Sequence, residues 1–199
     1  MHTFRSAAPL RTTPHSVASF RLIDRGLRRA LPALGDFAFV HVRARNAIVG
    51  VAAAHHRGDQ TRLVRSLMRA YRVDASDPVS AVAHVMRTGK PLMRSDIYPE
   101  ASDQPRMRAH RVTELHRQLA PRSALVVPIV VRNSVLGALS LCYSDSRRRY
   151  SQASLPAARQ LATQMGYVLM MAAEPQGFQL TAATRARPHS RDTARDRSR

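Results

Sequence analysis

The sequence contains one cysteine, no tryptophan and only ten phenylalanine and tyrosine residues together. Cys142 alone cannot form an intramolecular disulfide, and it excludes a zinc site built from several cysteines. With so few aromatic residues, the core is expected to be mainly aliphatic. No apolar run reaches the roughly 18 to 20 residues that a membrane-spanning helix requires, and no secretory signal opens the chain. We therefore expect a cytoplasmic protein without a membrane partner.

Acidic residues are also scarce, since 13 Asp and Glu face 32 Lys and Arg, for a formal net charge of +19. Lys90 is the one lysine, and this preference for arginine is typical of a GC-rich genome. Arg62, Arg65, Arg69 and Arg72 share one face of a predicted helix. This stripe leaves nucleic-acid binding open as an alternative, although a solvated helix face is the simpler interpretation.

Length and composition predict one globular domain with loose ends. The chain has 199 residues, of which 44% are hydrophobic, enough to bury a core. Residues 1–15 and 175–199 are rich in polar and basic residues and are expected to be disordered. The predicted domain is therefore 16–174.

Hydrophobic periodicity predicts an α+β fold with an antiparallel sheet. Val17, Phe20, Leu27 and Leu31 predict a buried helix face that Pro32 ends. Asp77 is the predicted N-cap of a later helix that ends at Gly89. Two hairpins outnumber parallel crossovers, which favours the antiparallel arrangement. The predicted helices cover 16–31, 58–72, 77–89, 103–119 and 155–174, and the predicted strands cover 37–42, 47–54, 91–97, 123–131 and 134–143.

Four stretches resemble the GAF domain family over about 34–173. They are the opening strand 34–42, the helix exit and strand 85–97, the hairpin 121–141 and the start of the last helix at 149–155. The hairpin, with its Pro-Ile-Val-Val-Arg-Asn-Ser-Val-Leu-Gly core, is the most recognisable. In the fourth stretch, Ser154 stands where the family usually has an acidic residue.

The resemblance implies a stand-alone sensory or regulatory module of signalling proteins that is not an enzyme. Family members have an antiparallel sheet with the terminal helices on one face and a small-molecule pocket on the other, and they commonly pair as dimers. By analogy, the candidate ligand contacts are Asp96, Tyr98, His110, Arg122 and Ser123. The last helix carries Leu161, Met165, Val168 and Leu169, which we expect to take part in a homodimer or to contact a signalling-protein partner. A ligand-free protein-interaction module with the same fold remains the alternative.

Chemistry beyond binding has little support in the sequence. Cys142 lies inside a predicted strand. In bilin-binding GAF domains, by contrast, the cysteine that attaches the chromophore lies in the helical region over the pocket. Sulfoxide-reducing members need several cysteines to complete their cycle. Of the histidines, His55 and His56 are adjacent, which is poor geometry for one ion. We expect no cofactor, no metal and no catalytic residue.

Overall fold

The computed structural model of the chain describes residues 14–44, 47–97 and 110–172. Five strands form one sheet in the order β2-β1-β5-β4-β3, and every neighbouring pair is antiparallel. The strands are β1 (Phe37–Ala44), β2 (Ala47–His55), β3 (Leu92–Arg94), β4 (Ser123–Val131) and β5 (Ser134–Tyr143). The helices are α1 (Pro14–Leu34), α2 (Thr61–Ala70), α3 (Ala81–Thr88), α4 (His110–Leu119) and α5 (Leu155–Ala172). The predicted α+β class and antiparallel sheet are confirmed.

The terminal helices α1 and α5 pack together on one face of the sheet, while α2, α3 and α4 lie on the other. Because side chains alternate along a strand, each central strand serves both faces. In β5, Leu139 and Leu141 face the terminal helices, whereas Ser140 and Cys142 face the middle helices. The terminal-helix side holds one continuous core, and the other side holds two smaller clusters.

The first helix is longer than predicted, because it begins at Pro14 and passes through Pro32 to Leu34. The carbonyl groups at its end find partners outside the helix. Tyr150 Oη donates to Leu34 O at 2.7 Å, and Arg148 donates to Pro32 O and Ala33 O at 3.1 and 3.2 Å. These bonds stabilise the last turn, so Pro32 does not end the helix as predicted.

The helix α3 begins later than predicted. Its N-cap is Ser80, whose Oγ accepts from Ala83 N, while Asp77 accepts from Val79 N in the preceding turn. At its end, Gly89 adopts the left-handed conformation that was expected, with φ of 66°. The turn between β4 and β5 also matches, since Arg132 and Asn133 both have positive φ, at 47° and 64°.

Several predicted regions lie outside the described residues. They are 1–13, 98–109, which includes Tyr98, and 173–199. No helix in the described ranges combines the length and apolar character needed to cross a bilayer.

Candidate ligand-binding site

A cavity of about 270 Å³ lies between the sheet and the middle helices. Its walls include members of both smaller clusters, such as Phe37 and Leu67 from one and Val82 and Val126 from the other. The cavity therefore occupies the space where these clusters fail to merge into one core. The small side chains that the sheet adds to the lining come from β4 and β5, which contribute Ala124, Ser140 and Cys142.

The apolar lining is partly aromatic. Phe37 and Phe39 follow each other on one face of β1, with ring centroids 5.6 Å apart in an edge-to-face arrangement. Met68 and Tyr71 line the cavity from α2 and the residues after it. Aromatic and thioether groups suit a flat or compact apolar ligand.

Two buried polar groups on the sheet line the same cavity. His41 is 4% exposed and Ser140 is 6% exposed. Within the described part of the chain, His41 Nδ1 and Ser140 Oγ have no hydrogen-bond partner. Complete burial lowers the pKa of His41 to about 4, so its imidazole is neutral at physiological pH. Buried polar atoms normally have partners, so this pair marks a place where a ligand can bind.

Burial also shifts the pKa of two other groups that line the cavity, Cys142 and His116, toward their uncharged forms. Burial raises the pKa of the Cys142 thiol to about 12, with the charge of Asp36 acting in the same direction. The thiol is therefore protonated at neutral pH and is a poor nucleophile. Burial also lowers the pKa of His116, which lines the cavity from α4.

The charged residues of the lining are exposed. Arg94 and Asp96 belong to β3 and the residues that follow it, and both contribute to the cavity wall. Arg149 Nε donates to Asp96 Oδ1 at 2.8 Å, which pairs this carboxylate with a cation from before α5. Ionised groups therefore lie toward solvent, while the part of the wall formed by β1, β4 and β5 is neutral.

The other predicted ligand contacts lie elsewhere. Ser123 is buried, but its Oγ donates to Arg94 O and accepts from Tyr150 N, both at 3.0 Å, as part of the structural framework. Arg122 is exposed, and its backbone links Tyr143 and Ile97. His110 is exposed at the start of α4. Of the candidates in the described residues, Asp96 alone lines this cavity.

Sequence reasoning did not select His41 or Ser140. A usable signal was present in β5, where large residues alternate with small ones in Ala-Leu-Ser-Leu-Cys-Tyr. The large residues fill the core under α1 and α5, and the small ones leave room on the opposite face. A serine within the small set is therefore a candidate pocket residue.

The helix residues predicted to pair in a dimer are placed in the domain's own core. Leu161, Met165 and Leu169 are buried, and the half-buried Val168 packs against the same cluster. These side chains cover the sheet and α1 because the apolar stripe of α5 faces inward. The large apolar residues that α5 exposes are Tyr167 and Met171, at 57% and 77%.

The profile of the GAF domain family matches residues 21–170. This chain belongs to the GAF domain family. The family expectation from the sequence, and the sheet with terminal helices that it implied, are both confirmed.

Solved GAF structures share the fold at low sequence identity. The GAF domain/HD domain protein from Geobacter sulfurreducens is 19% identical with a TM-score of 0.54, covering 80% of this chain and 94% of that chain. The GAF-B domain of DevS from Mycobacterium smegmatis is 18% identical with a TM-score of 0.52, covering 79% and 94%. A type II free methionine-R-sulfoxide reductase from Thermoplasma acidophilum is 11% identical with a TM-score of 0.54, covering 79% and 96%. No curated protein matches the chain.

One of these structures is a reductase. The shared fold therefore does not decide the function, which depends on the site residues. In this GAF domain, the described residues contain no group of three or more His, Cys, Asp or Glu side chains positioned for a metal ion. The predicted arginine stripe is also divided, since Arg65 bonds Asp24 and Ala53 O while Arg62 and Arg69 are exposed. Arg72 is exposed too, but it lies beyond the end of α2.

Proposed function

We propose that this GAF domain is a non-catalytic sensory or regulatory module that binds a small molecule in the cavity between the sheet and the middle helices. The observation that carries the proposal is a pair of buried polar atoms, His41 Nδ1 and Ser140 Oγ, that have no partner among the described residues and lie on the wall of a mainly apolar cavity. A ligand that bonds them removes the cost of burying them alone.

The absence of a catalytic role rests on the chemistry of the wall. The one cysteine of the chain is buried and has a raised pKa, which disfavours thiolate chemistry. His41 has no described carboxylate or hydroxyl partner at Nδ1 that would orient it as a base. These residues therefore support non-covalent binding of a ligand rather than catalysis.

Occupancy is passed to α1 and α5 through the shared sheet. Phe37, Phe39 and His41 face the cavity, while Ala38, Val40 and Val42 of the same strand pack beneath the terminal helices. A ligand that shifts β1 therefore changes the packing of those helices. Such a response requires that the ligand bind one helix arrangement more tightly than the other.

The test is native mass spectrometry of the purified full chain. We expect an added small-molecule mass that disappears in Ala124→Phe, because a ring at this cavity-lining position fills the space. Val130→Phe is the control, since Val130 lies on the same strand and is 41% exposed. A compound retained equally by both variants, or its absence from the native protein together with no thermal shift in a metabolite screen, would overturn the proposal.

A second function, homodimerisation through the terminal helices, is favoured by exposed apolar side chains. Leu22 on α1 and Tyr167 and Met171 on α5 are each more than half exposed. Tyr167 and Met171 are four residues apart and so share a helix face. A second copy of the same surface is a suitable partner for such a patch.

Sedimentation velocity tests this second function. Tyr167→Glu should convert a dimer to a monomer without loss of folding, because the side chain is outside the core. Val79→Glu, at an exposed apolar residue before α3, is the matched control and should remain dimeric. A monomeric native protein, or a dimer unaffected by Tyr167→Glu, rejects this interface.

A further inference from the structure

The polar pair on the sheet restricts the chemistry of the ligand. In the antiparallel register, His41 is opposite Ala138 and Phe39 is opposite Ser140, which makes His41 and Ser140 diagonal neighbours on one face. The Cα atoms of diagonal neighbours on adjacent strands are roughly 7 Å apart. One polar group of a small ligand can therefore reach both side chains.

The two groups complement a hydroxyl or a similar neutral group. A neutral imidazole presents one nitrogen as an acceptor and the other as a donor, and a serine hydroxyl both donates and accepts. Burial keeps His41 neutral at physiological pH. A ligand hydroxyl can donate to one of these residues and accept from the other, which pairs the buried polar atoms without adding charge.

The remaining wall excludes an ionised group at this depth. Among the described residues, the cavity is lined by one arginine, Arg94, and one aspartate, Asp96. Both are exposed, and Asp96 is paired with Arg149. A carboxylate or ammonium beside His41 would lose its hydration without gaining an opposite charge. The interior of the cavity is therefore suited to uncharged compounds.

Shape and lining limit the size of the ligand. A dry cavity of about 150 Å³ accommodates benzene, and the cavity here measures about 270 Å³. The edge-to-face pair Phe37 and Phe39, with Tyr71 and Met68 opposite from the α2 side, provides aromatic and polarisable contacts for one ring or two fused rings.

We infer that this GAF domain recognises an uncharged, hydroxyl-bearing compound of one or two aromatic rings, whose hydroxyl group bonds His41 and Ser140 at the sheet. The inference rests on the proposed ligand-binding function and specifies its ligand class. It assigns His41 and Ser140 as specificity-determining residues, and it assigns Phe37 and Phe39 to the apolar body of the ligand.

Three probes with the same ring system test this inference: 2-naphthol, 2-methylnaphthalene and 2-naphthoate. They carry a hydroxyl, a methyl and a carboxylate group at the same position. Because the chain has no tryptophan, their fluorescence can be titrated with the full-length protein against a low background. We expect 2-naphthol to bind between about three and ten times more tightly than 2-methylnaphthalene, as one net hydrogen bond provides. Binding of 2-naphthoate should be weaker still.

Variants connect that preference to the two residues. Ser140→Ala and His41→Phe should each bring the ratio of the two dissociation constants toward one. Ser144→Ala is the matched control, because Ser144 Oγ is also buried and without a described partner but does not line the cavity. If His41→Phe does not fold, Ser140→Ala alone decides, since it removes one unpartnered hydroxyl and little volume. The ¹⁵N shifts of the His41 ring should move with 2-naphthol and stay unchanged with 2-methylnaphthalene.

The outcomes separate this inference from the proposed function. Equal affinities for the hydroxyl and methyl probes, or a preference that survives Ser140→Ala, overturn the inference while the cavity still binds ligands. If 2-naphthoate binds most tightly, the inference is overturned in favour of an acidic ligand whose carboxylate binds Arg94. If no probe binds but native mass spectrometry finds a compound that Ala124→Phe removes, the ligand class is wrong and the ligand-binding function stands. If no probe binds and no compound is found, the inference is again overturned, and the proposed function is judged by its own test.

Discussion

Arg65 and Asp24 form an ion pair that joins the two helical layers of the domain. Arg65 Nη2 donates to Asp24 Oδ1 at 2.7 Å, and its Nε donates to Ala53 O at 3.3 Å. One guanidinium thus connects α2, the edge strand β2 and α1. Leu67 and Met68 follow on α2 and line the cavity, so the same short helix contacts both the cavity and a terminal helix.

We predict that Arg65→Ala lowers the free energy of unfolding by about 0.5 to 1 kcal/mol. The value is modest because the pair is partly exposed to solvent. Urea denaturation measures the change, and Arg62→Ala, at an exposed arginine of α2, should be near neutral. A similar loss in both variants would mean that the ion pair contributes nothing specific.

Asp36 should be more important for stability. Its Oδ2 accepts from Ser144 N at 2.6 Å, Ser146 N at 3.0 Å and Ser146 Oγ at 2.8 Å. Asp36→Ala leaves these donors unpaired, one of them buried, and should lower the free energy of unfolding by about 3 kcal/mol. Asp36→Asn keeps an acceptor and should cost less. Equal stability of the alanine variant and the native protein in urea would contradict this role.

The same carboxylate predicts a loss of stability in acid. Burial raises the pKa of Asp36, but the hydrogen bonds from Ser144 and Ser146 and the charge of His56 outweigh it, and the net pKa lies below 3.8. The stabilisation is therefore complete above about pH 4 and is lost as the pH falls through the folded pKa. Urea denaturation at pH 3 to 6 should show this loss in the native protein and not in Asp36→Asn. Parallel profiles would exclude it.

His41 predicts a second pH dependence, in a higher range. Burial lowers its folded pKa to about 4 from 6.5, so between these values the unfolded chain binds a proton that the folded protein does not. The free energy of unfolding should therefore fall by at most about 3 kcal/mol as the pH drops from 6.5 to 4. His41→Phe removes this contribution. Native and variant profiles of the same slope over that range would show that His41 is not desolvated.

Cys142 should report whether the cavity is occupied. A buried thiol with a pKa of about 12 reacts slowly with a disulfide reagent such as 5,5′-dithiobis(2-nitrobenzoate) at pH 8. The reaction should become fast in urea and should be slowed further by a compound that fills the cavity. Because the chain has one cysteine, the absorbance change reports this position alone. Rapid reaction in the folded protein would contradict its placement.

Tyr143 and Tyr150 bond carbonyl groups at the end of α1, and they should differ in their contributions to stability. Tyr150 Oη bonds Leu34 O at 2.7 Å, so Tyr150→Phe should lower the free energy of unfolding by about 1 kcal/mol. Tyr143 Oη bonds Ala33 O at 3.3 Å, and Arg148 also donates to that carbonyl. Tyr143→Phe should therefore cost less. The reverse order in thermal denaturation would contradict this account of how the helix passes Pro32.

Sequence patterns predicted the sheet better than the helix ends. The bounds of β4 and β5 match because alternation is strong and Asn133 favours the positive φ of a tight turn. The predicted stop at Pro32 was wrong because Arg148 and Tyr150, which donate to Pro32 O and Leu34 O, are more than a hundred residues away. Local rules cannot include such contacts.

The cavity residues were harder to predict for a related reason. Alternation shows that Ser123 and Ala124 face opposite sides of β4, but it does not show which side is the pocket. That assignment depends on where α5 packs, and α5 selects the side with Leu125, Val127 and Ile129. Asp96 was identified through the family resemblance, whereas the pairing of His41 with Ser140 required the register between β1 and β5.

The alternation of cavity-facing and helix-facing residues along β4 and β5 has an evolutionary consequence. Substitutions at Ala124, Ser140 or Cys142 change the volume and polarity of the cavity, while the alternate positions continue to support α1 and α5. Under the proposed function, ligand preference can therefore diverge by single replacements that leave the packing of α1 and α5 unchanged. Under the proposed function, the same scaffold accepts a new ligand while the face formed by α1 and α5 is unchanged.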